Sequence, residues 1–201
     1  MDGSFRWSRS QSIGFPVNNI KSICVFCGSR QAVEGHYKSV ATELGREIGR
    51  RGADLVYGGA SIGLIGCVAR GVHEEKGKVI GILPEFFRKK DIEYLDADEL
   101  IVTKDMRERK AKMYERSDAF IVLPGGIGTL EETMEILSMR QLKLTNKPLV
   151  FVSTGGFYDK LNEIFASMIE QKFAKENIRN MFAMAPDPKR ALEYIFTYTT
   201  S

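Results

Sequence analysis

From residue 23 onward, short apolar runs alternate with longer stretches of helical period, and four of the runs end in glycine. Strands that alternate with helices form βαβ units, and such units build a parallel sheet. The runs at 23–26, 55–57, 79–83, 119–123 and 149–152 are apolar at nearly every position. A strand covered on one face alternates apolar with polar residues, whereas a strand covered on both faces does not. The expected fold is therefore α/β: a doubly wound, Rossmann-like parallel sheet with helices on both faces, in a single domain.

The helices follow from spacing. Tyr37, Val40, Ala41, Leu44 and Ile48 share one helix face before Gly52, as do Leu64, Ile65, Val68, Ala69 and Val72 before Gly77. Asp105 stands as the N-cap of a charged helix over 106–116. Further helices are expected over 129–144, through Leu161, Ile164, Phe165, Met168 and Ile169, and from Pro188. A short strand is expected at 100–102 and a short apolar run at 181–184, while 85–98 reads as polar and irregular. Residues 1–20 lack the apolar segment of a secretory signal and read as a loosely ordered arm ahead of a domain over 21–201. A chain of 201 residues is long enough for one substantial core.

Charge and cysteine usage narrow the partners. There are 29 basic and 26 acidic residues, a net charge of +3, and the basic residues are dispersed. That argues against a nucleic-acid or membrane partner, and no run approaches the roughly 18 apolar residues of a membrane span. The three cysteines are an odd count, which suits a reducing compartment, the cytoplasm. Cys24 and Cys27 lie three apart on one strand, so their thiols diverge and read as structural rather than as a redox or zinc pair. His36 and His73 lack metal-ligand spacing. Neither a metal site nor histidine-based acid–base chemistry is expected, which leaves carboxylates, Arg, Lys, hydroxyls and backbone amides for any chemistry.

In a doubly wound sheet the ligand lies beyond the carboxyl ends of the strands. Those ends carry Gly28 with Ser29, Gly58-Gly59, Gly125-Gly126 and Gly155-Gly156. Glycine lets backbone approach a ligand, and the N–H groups of the following helix then face an anion. The segment Pro124-Gly125-Gly126-Ile127-Gly128-Thr129 fits this best, with Thr129 as an added O–H donor to a phosphate. Neither the Walker A pattern nor the dinucleotide Gly-x-Gly-x-x-Gly occurs at the expected places, so a ligand with one phosphate is favoured. Glu132 lies three residues after Thr129, which matches a capping box as well as a carboxylate held near the sugar of a bound phosphate ester. Arg107, Arg109, Lys110 and Lys112 read mostly as a solvated face, from which one cation could reach the cleft.

The segment Pro124-Gly125-Gly126-Ile127-Gly128-Thr129-Leu130-Glu131-Glu132 resembles the PGGxGTxxE signature of the Lonely Guy (LOG) family. Its members are cytokinin riboside 5′-monophosphate phosphoribohydrolases, often mislabelled lysine decarboxylases. Met106-Arg107-Glu108-Arg109-Lys110 resembles the companion Met-x-x-Arg-Lys motif, and residues 55–66 are similar to the family's first glycine loop. The resemblance spans about residues 23–173. It implies a Rossmann-like homodimer with sites near the subunit interface and no metal or organic cofactor. It also implies cleavage of a nucleoside 5′-monophosphate to free base and ribose 5-phosphate. By the same resemblance, Arg109 and Glu132 are the catalytic pair, and Lys110, Glu131 and the loop from Gly125 through Gly126, Ile127 and Gly128 to Thr129 contact substrate.

Some positions depart from the family pattern. Ala60 replaces a glycine, Ile127 stands where plant members carry tyrosine, and Asp91 stands where a substrate-contacting glutamate is expected. Ser138-Met139-Arg140-Gln141 replaces a stretch that commonly holds an aromatic residue. These changes leave AMP and isopentenyl-adenosine monophosphate as equal candidates. The competing reading is a non-catalytic nucleotide-binding or sensing module on the same fold; the presence of both Arg109 and Glu132 favours the enzyme. Pyridoxal chemistry needs a Schiff-base lysine, and nothing beyond the phosphate loop points to one.

Overall fold

The computed structural model describes residues 20–88 and 92–199. Nearly all of the expected N-terminal arm, and Asp91, therefore lie outside the described residues. Seven strands form one sheet: β1 (Ser22–Phe26), β2 (Asp54–Tyr57), β3 (Val79–Pro84), β4 (Glu99–Thr103), β5 (Ala119–Val122), β6 (Leu149–Val152) and β7 (Ala183–Ala185). Their order is β4-β3-β2-β1-β5-β6-β7, and every neighbouring pair is parallel. The helices are α1 (Gly35–Arg50), α2 (Gly63–Glu74), α3 (Glu85–Arg88), α4 (Met106–Glu115), α5 (Ile127–Gln141), α6 (Asp159–Glu170) and α7 (Pro188–Thr197). None is long and apolar enough to cross a membrane.

Alternation along β1 explains the two layers. Ile23, Val25 and Cys27 enter one core with Leu44, Val68 and Leu192 of α1, α2 and α7. Cys24 and Phe26 enter the other with Met113, Ile136 and Phe165 of α4, α5 and α6. The two thiols thus diverge to opposite faces of the sheet, and both are free. Burial raises both above the usual thiol range, so they behave as small apolar side chains.

Helix boundaries differ most from the spacing-based expectation at α3 and at the two ends of α5, which stops at Gln141 rather than at Leu144. A one-turn helix, α3, forms inside the polar segment after β3. Helix α5 begins at Ile127 with Gly126 as its N-cap, two residues before the expected start at Thr129. The tight turn after β5 is made by glycines, so the helix starts at once and needs no hydroxyl cap.

The chain runs outward from β1 through β2 and β3 to β4, then crosses back to place β5 on the other side of β1. The strand order reverses between β1 and β5, and in such sheets the ligand crevice lies beyond the carboxyl ends of those strands. The return segment after α3 is fastened over the sheet by Tyr94, whose N–H donates to Gly59 O at 2.9 Å. His73 bridges the Tyr94 hydroxyl at 2.9 Å and Asp98 Oδ2 at 3.1 Å, and Asp98 also accepts the Val79 N–H at 2.7 Å.

Candidate active site

At the switch point the loops after β1 and β5 touch: Gly28 N–H donates to Pro124 O at 3.1 Å. Above them opens a cleft of about 510 Å³, reached by the carboxyl ends of β1, β2, β3 and β5. One wall is the start of α5. Its first intrahelical bond runs from Leu130 N–H to Gly126 O, so the amides of Ile127, Gly128 and Thr129 have no acceptor within the helix. Such amides, at the positive end of the helix dipole, suit an anion. Gly125 is glycine for a packing reason: a Cβ there would stand 2.1 Å from Thr129 Oγ1. The Thr129 side chain, 4% exposed, occupies that space and props the turn from beneath.

The cleft floor is set by α4. Asp105 accepts the Glu108 N–H at 2.8 Å and caps the helix as expected. That start turns Arg109 inward, where its Nε donates to Ile82 O at 3.1 Å. Its Nη1 donates to Glu132 Oε1 of α5, and the two side chains are only 9% and 11% exposed. A buried charge must be paired or its desolvation is prohibitive; here each group supplies the other's partner. Glu132 is therefore not a capping-box residue. Thr129 already lies inside the helix, and the Glu132 carboxylate is taken by Arg109.

One residue along each helix, a second pair forms. Lys110 Nζ bonds to Glu131 and, at 2.7 Å, to Glu135. The hydrogen bond to Glu131, then that to Glu135, raises the lysine above its ordinary value. These groups do not line the main cleft. Lys110 and Glu135 border a second hollow of about 220 Å³ with Phe26, Tyr114, Ile136 and Met139, and Glu132 is the wall common to both spaces.

Gly28, Ser29, Gly58, Gly125, Gly126, Gly128, Thr129, Arg109 and Glu132 are brought together in the main cleft. Gly59 is not among its lining residues; it lies buried against Leu83, and its carbonyl is taken by Tyr94. Ile127 is 83% exposed at the first position of α5 and is likewise not part of the lining. The sequence reading missed Arg30, Tyr37, Met106 and Phe157, all of which line the cleft. Three of them carried a signal: Met106 opens the Met-x-x-Arg-Lys motif, Phe157 directly follows the fourth glycine pair, and Arg30 lies two residues beyond Gly28.

A family described as "Possible lysine decarboxylase" matches residues 65–195. A "Probable cytokinin riboside 5′-monophosphate phosphoribohydrolase" of Oryza sativa subsp. japonica, LOGL6, is 39% identical over 90% of this chain and 73% of its own length. The cytokinin riboside 5′-monophosphate phosphoribohydrolase LOG5 of Arabidopsis thaliana is 40% identical over 90% of this chain and 79% of its own. The chain belongs to the LOG family of phosphoribohydrolases. Among solved structures, the LOG-family fold seen here resembles the Moco carrier protein of Chlamydomonas reinhardtii, with a TM-score of 0.68 at 23% identity over 88% of this chain and 95% of that one. That likeness is one of fold alone. No lysine is among the described lining residues of the cleft.

Proposed function

We propose that this LOG-family chain hydrolyses the N-glycosidic bond of an adenine-type nucleoside 5′-monophosphate, AMP or its cytokinin counterpart, releasing free base and ribose 5-phosphate. The observation that carries the reading is the enclosed Arg109–Glu132 pair on the floor of a cleft whose wall is an open helix N-terminus. The substrate's phosphate takes the amides at 127–129, and this remote binding presents C1′ of the ribose to the floor. As the bond to the base breaks, positive charge develops on the sugar, as in glycoside cleavage generally. The Glu132 carboxylate stabilises that charge and polarises the attacking water. Arg109 fixes the carboxylate's orientation and offers its remaining N–H groups to the ribose hydroxyls. Apolar side chains of Ile62, Leu83, Met106 and Phe157 give the base a surface and exclude water.

The names of the curated relatives, acting on cytokinin riboside 5′-monophosphates, support the substrate class. In the same reading the chain works in the cytoplasm as a homodimer, without metal or organic cofactor. Product analysis on AMP, isopentenyl-adenosine monophosphate and their nucleosides tests the proposal. Base and ribose 5-phosphate are expected from the monophosphates and little from the nucleosides. Nucleotide that stays bound and intact in calorimetry favours the binding-module reading; no release across the panel overturns the enzyme.

A further inference from the structure

We infer that Arg30 is the charge partner of the substrate's phosphate and sets the preference for phosphorylated over unphosphorylated ligands; this rests on the proposed phosphate position. Three charged side chains are among the described lining of the cleft: Arg30, Arg109 and Glu132. Arg109 is spent on Glu132 and Ile82 O, so that pair presents no net charge to a ligand. A phosphate monoester carries about −1.5 to −2 charge at neutral pH, far more than the half-charge of a helix N-terminus can balance.

Arg30 supplies the missing cation. Its loop is fixed where the phosphate is expected, because Gly28 bonds to Pro124 and a Cβ on Gly28 would stand 3.4 Å from Gly125 Cα. Arg30 follows two residues later, exposed on the same cleft as Gly125, Gly126 and Thr129. Among the described residues its guanidinium has neither an ion pair nor a hydrogen bond. A planar, always-charged fork with no partner of its own is suited to grip two phosphate oxygens as the α5 amides take the others. Its flexible stem lets it close over an anion that has already docked.

Calorimetry on the Glu132→Gln protein, in which turnover is expected to be lost, tests this with AMP, adenosine, inorganic phosphate and ribose 5-phosphate as probes, the last two being titrated into the native protein as well, where Arg109 keeps its counter-charge. Arg30→Ala in that background is expected to weaken AMP by about tenfold or more, leave adenosine unchanged, and flatten the salt dependence of AMP binding. Arg30→Lys is expected to restore part of the loss. Parallel weakening of inorganic phosphate and ribose 5-phosphate assigns the contact to the phosphoryl group itself, whereas weakening of AMP alone overturns that assignment. Equal AMP affinity in both proteins, or equal loss for AMP and adenosine, overturns the inference. In the otherwise native enzyme Arg30→Ala should raise KM for AMP and preserve kcat; a fall in kcat at unchanged KM also overturns it. If the native protein binds AMP in an Arg30-dependent way but never releases base, the hydrolase reading falls and the role of Arg30 stands.

Discussion

Arg109 lies directly over Gly58: a Cβ on that glycine would stand 2.6 Å from Arg109 Nη2. The nearest obstacle to a side chain at Gly58 is thus the Arg109 guanidinium and not the backbone. Gly58→Ala should displace Arg109 from the cleft floor and leave the sheet intact. The expected result is a fall in kcat/KM of about tenfold or more with a Tm close to that of the native protein. A mutant with native kinetics would show that Arg109 tolerates the shift.

The two members of the floor pair should respond differently to removal. Glu132→Gln keeps shape and one hydrogen bond to Arg109 but leaves the buried guanidinium without its counter-charge, so turnover is lost and stability falls, by less than for Arg109→Ala. Arg109→Ala strands the Glu132 carboxylate and leaves Ile82 O without its donor. Breaking a buried pair in this way costs roughly 3–5 kcal/mol, measurable by urea denaturation. The double variant Arg109→Met with Glu132→Leu should recover much of that stability while remaining inactive.

Lys110 ties α4 to α5 through Glu131 and Glu135, beside the Arg109–Glu132 pair. Lys110→Met is expected to lower kcat several-fold with a stability loss of about 1 kcal/mol or less, and Lys110→Arg to restore most of both. The lysine's value is raised in the folded protein. Its contribution to stability is therefore fully present below the unfolded value near 10.4 and disappears as pH rises through the folded one. Chemical denaturation of native and Lys110→Met proteins from neutral to strongly alkaline pH should show the two stabilities converging.

Asp98 provides the opposite pH signature. The Val79 N–H, then His73, holds its carboxyl below the ordinary carboxylate value. A lowered folded value stabilises the protein above the unfolded value near 3.9, and the gain is lost as pH falls through the folded value. Asp98→Ala should cost on the order of 1 kcal/mol at neutral pH and progressively less under acid. Denaturation of both proteins between neutral pH and strong acid should show the gap closing; a gap that persists in acid would assign the effect to packing.

Residues local in the chain made the fold legible. Apolar runs such as 149–152 and the Asp105 cap act through neighbours one to four positions away, so their pattern alone specifies strand or helix. Glycines at strand ends likewise marked the cleft, because a tight turn beside a ligand is a backbone requirement written in the residue itself. The sequence also named Arg109 and Glu132 through paired motifs. It could not say whether Glu132 would cap its own helix or face another chain segment, since both uses share one local pattern. Packing of α4 against α5 decided that, by enclosing a guanidinium that pairs with this carboxylate. Tertiary structure alone also moved Lys110 to a neighbouring hollow, tied Glu131 to it away from the main cleft, buried Gly59 under the return strap and brought Arg30 to the cleft. Each of those outcomes depends on contacts between residues about 20 to 100 positions apart, and no periodicity in a chain encodes a distance of that kind.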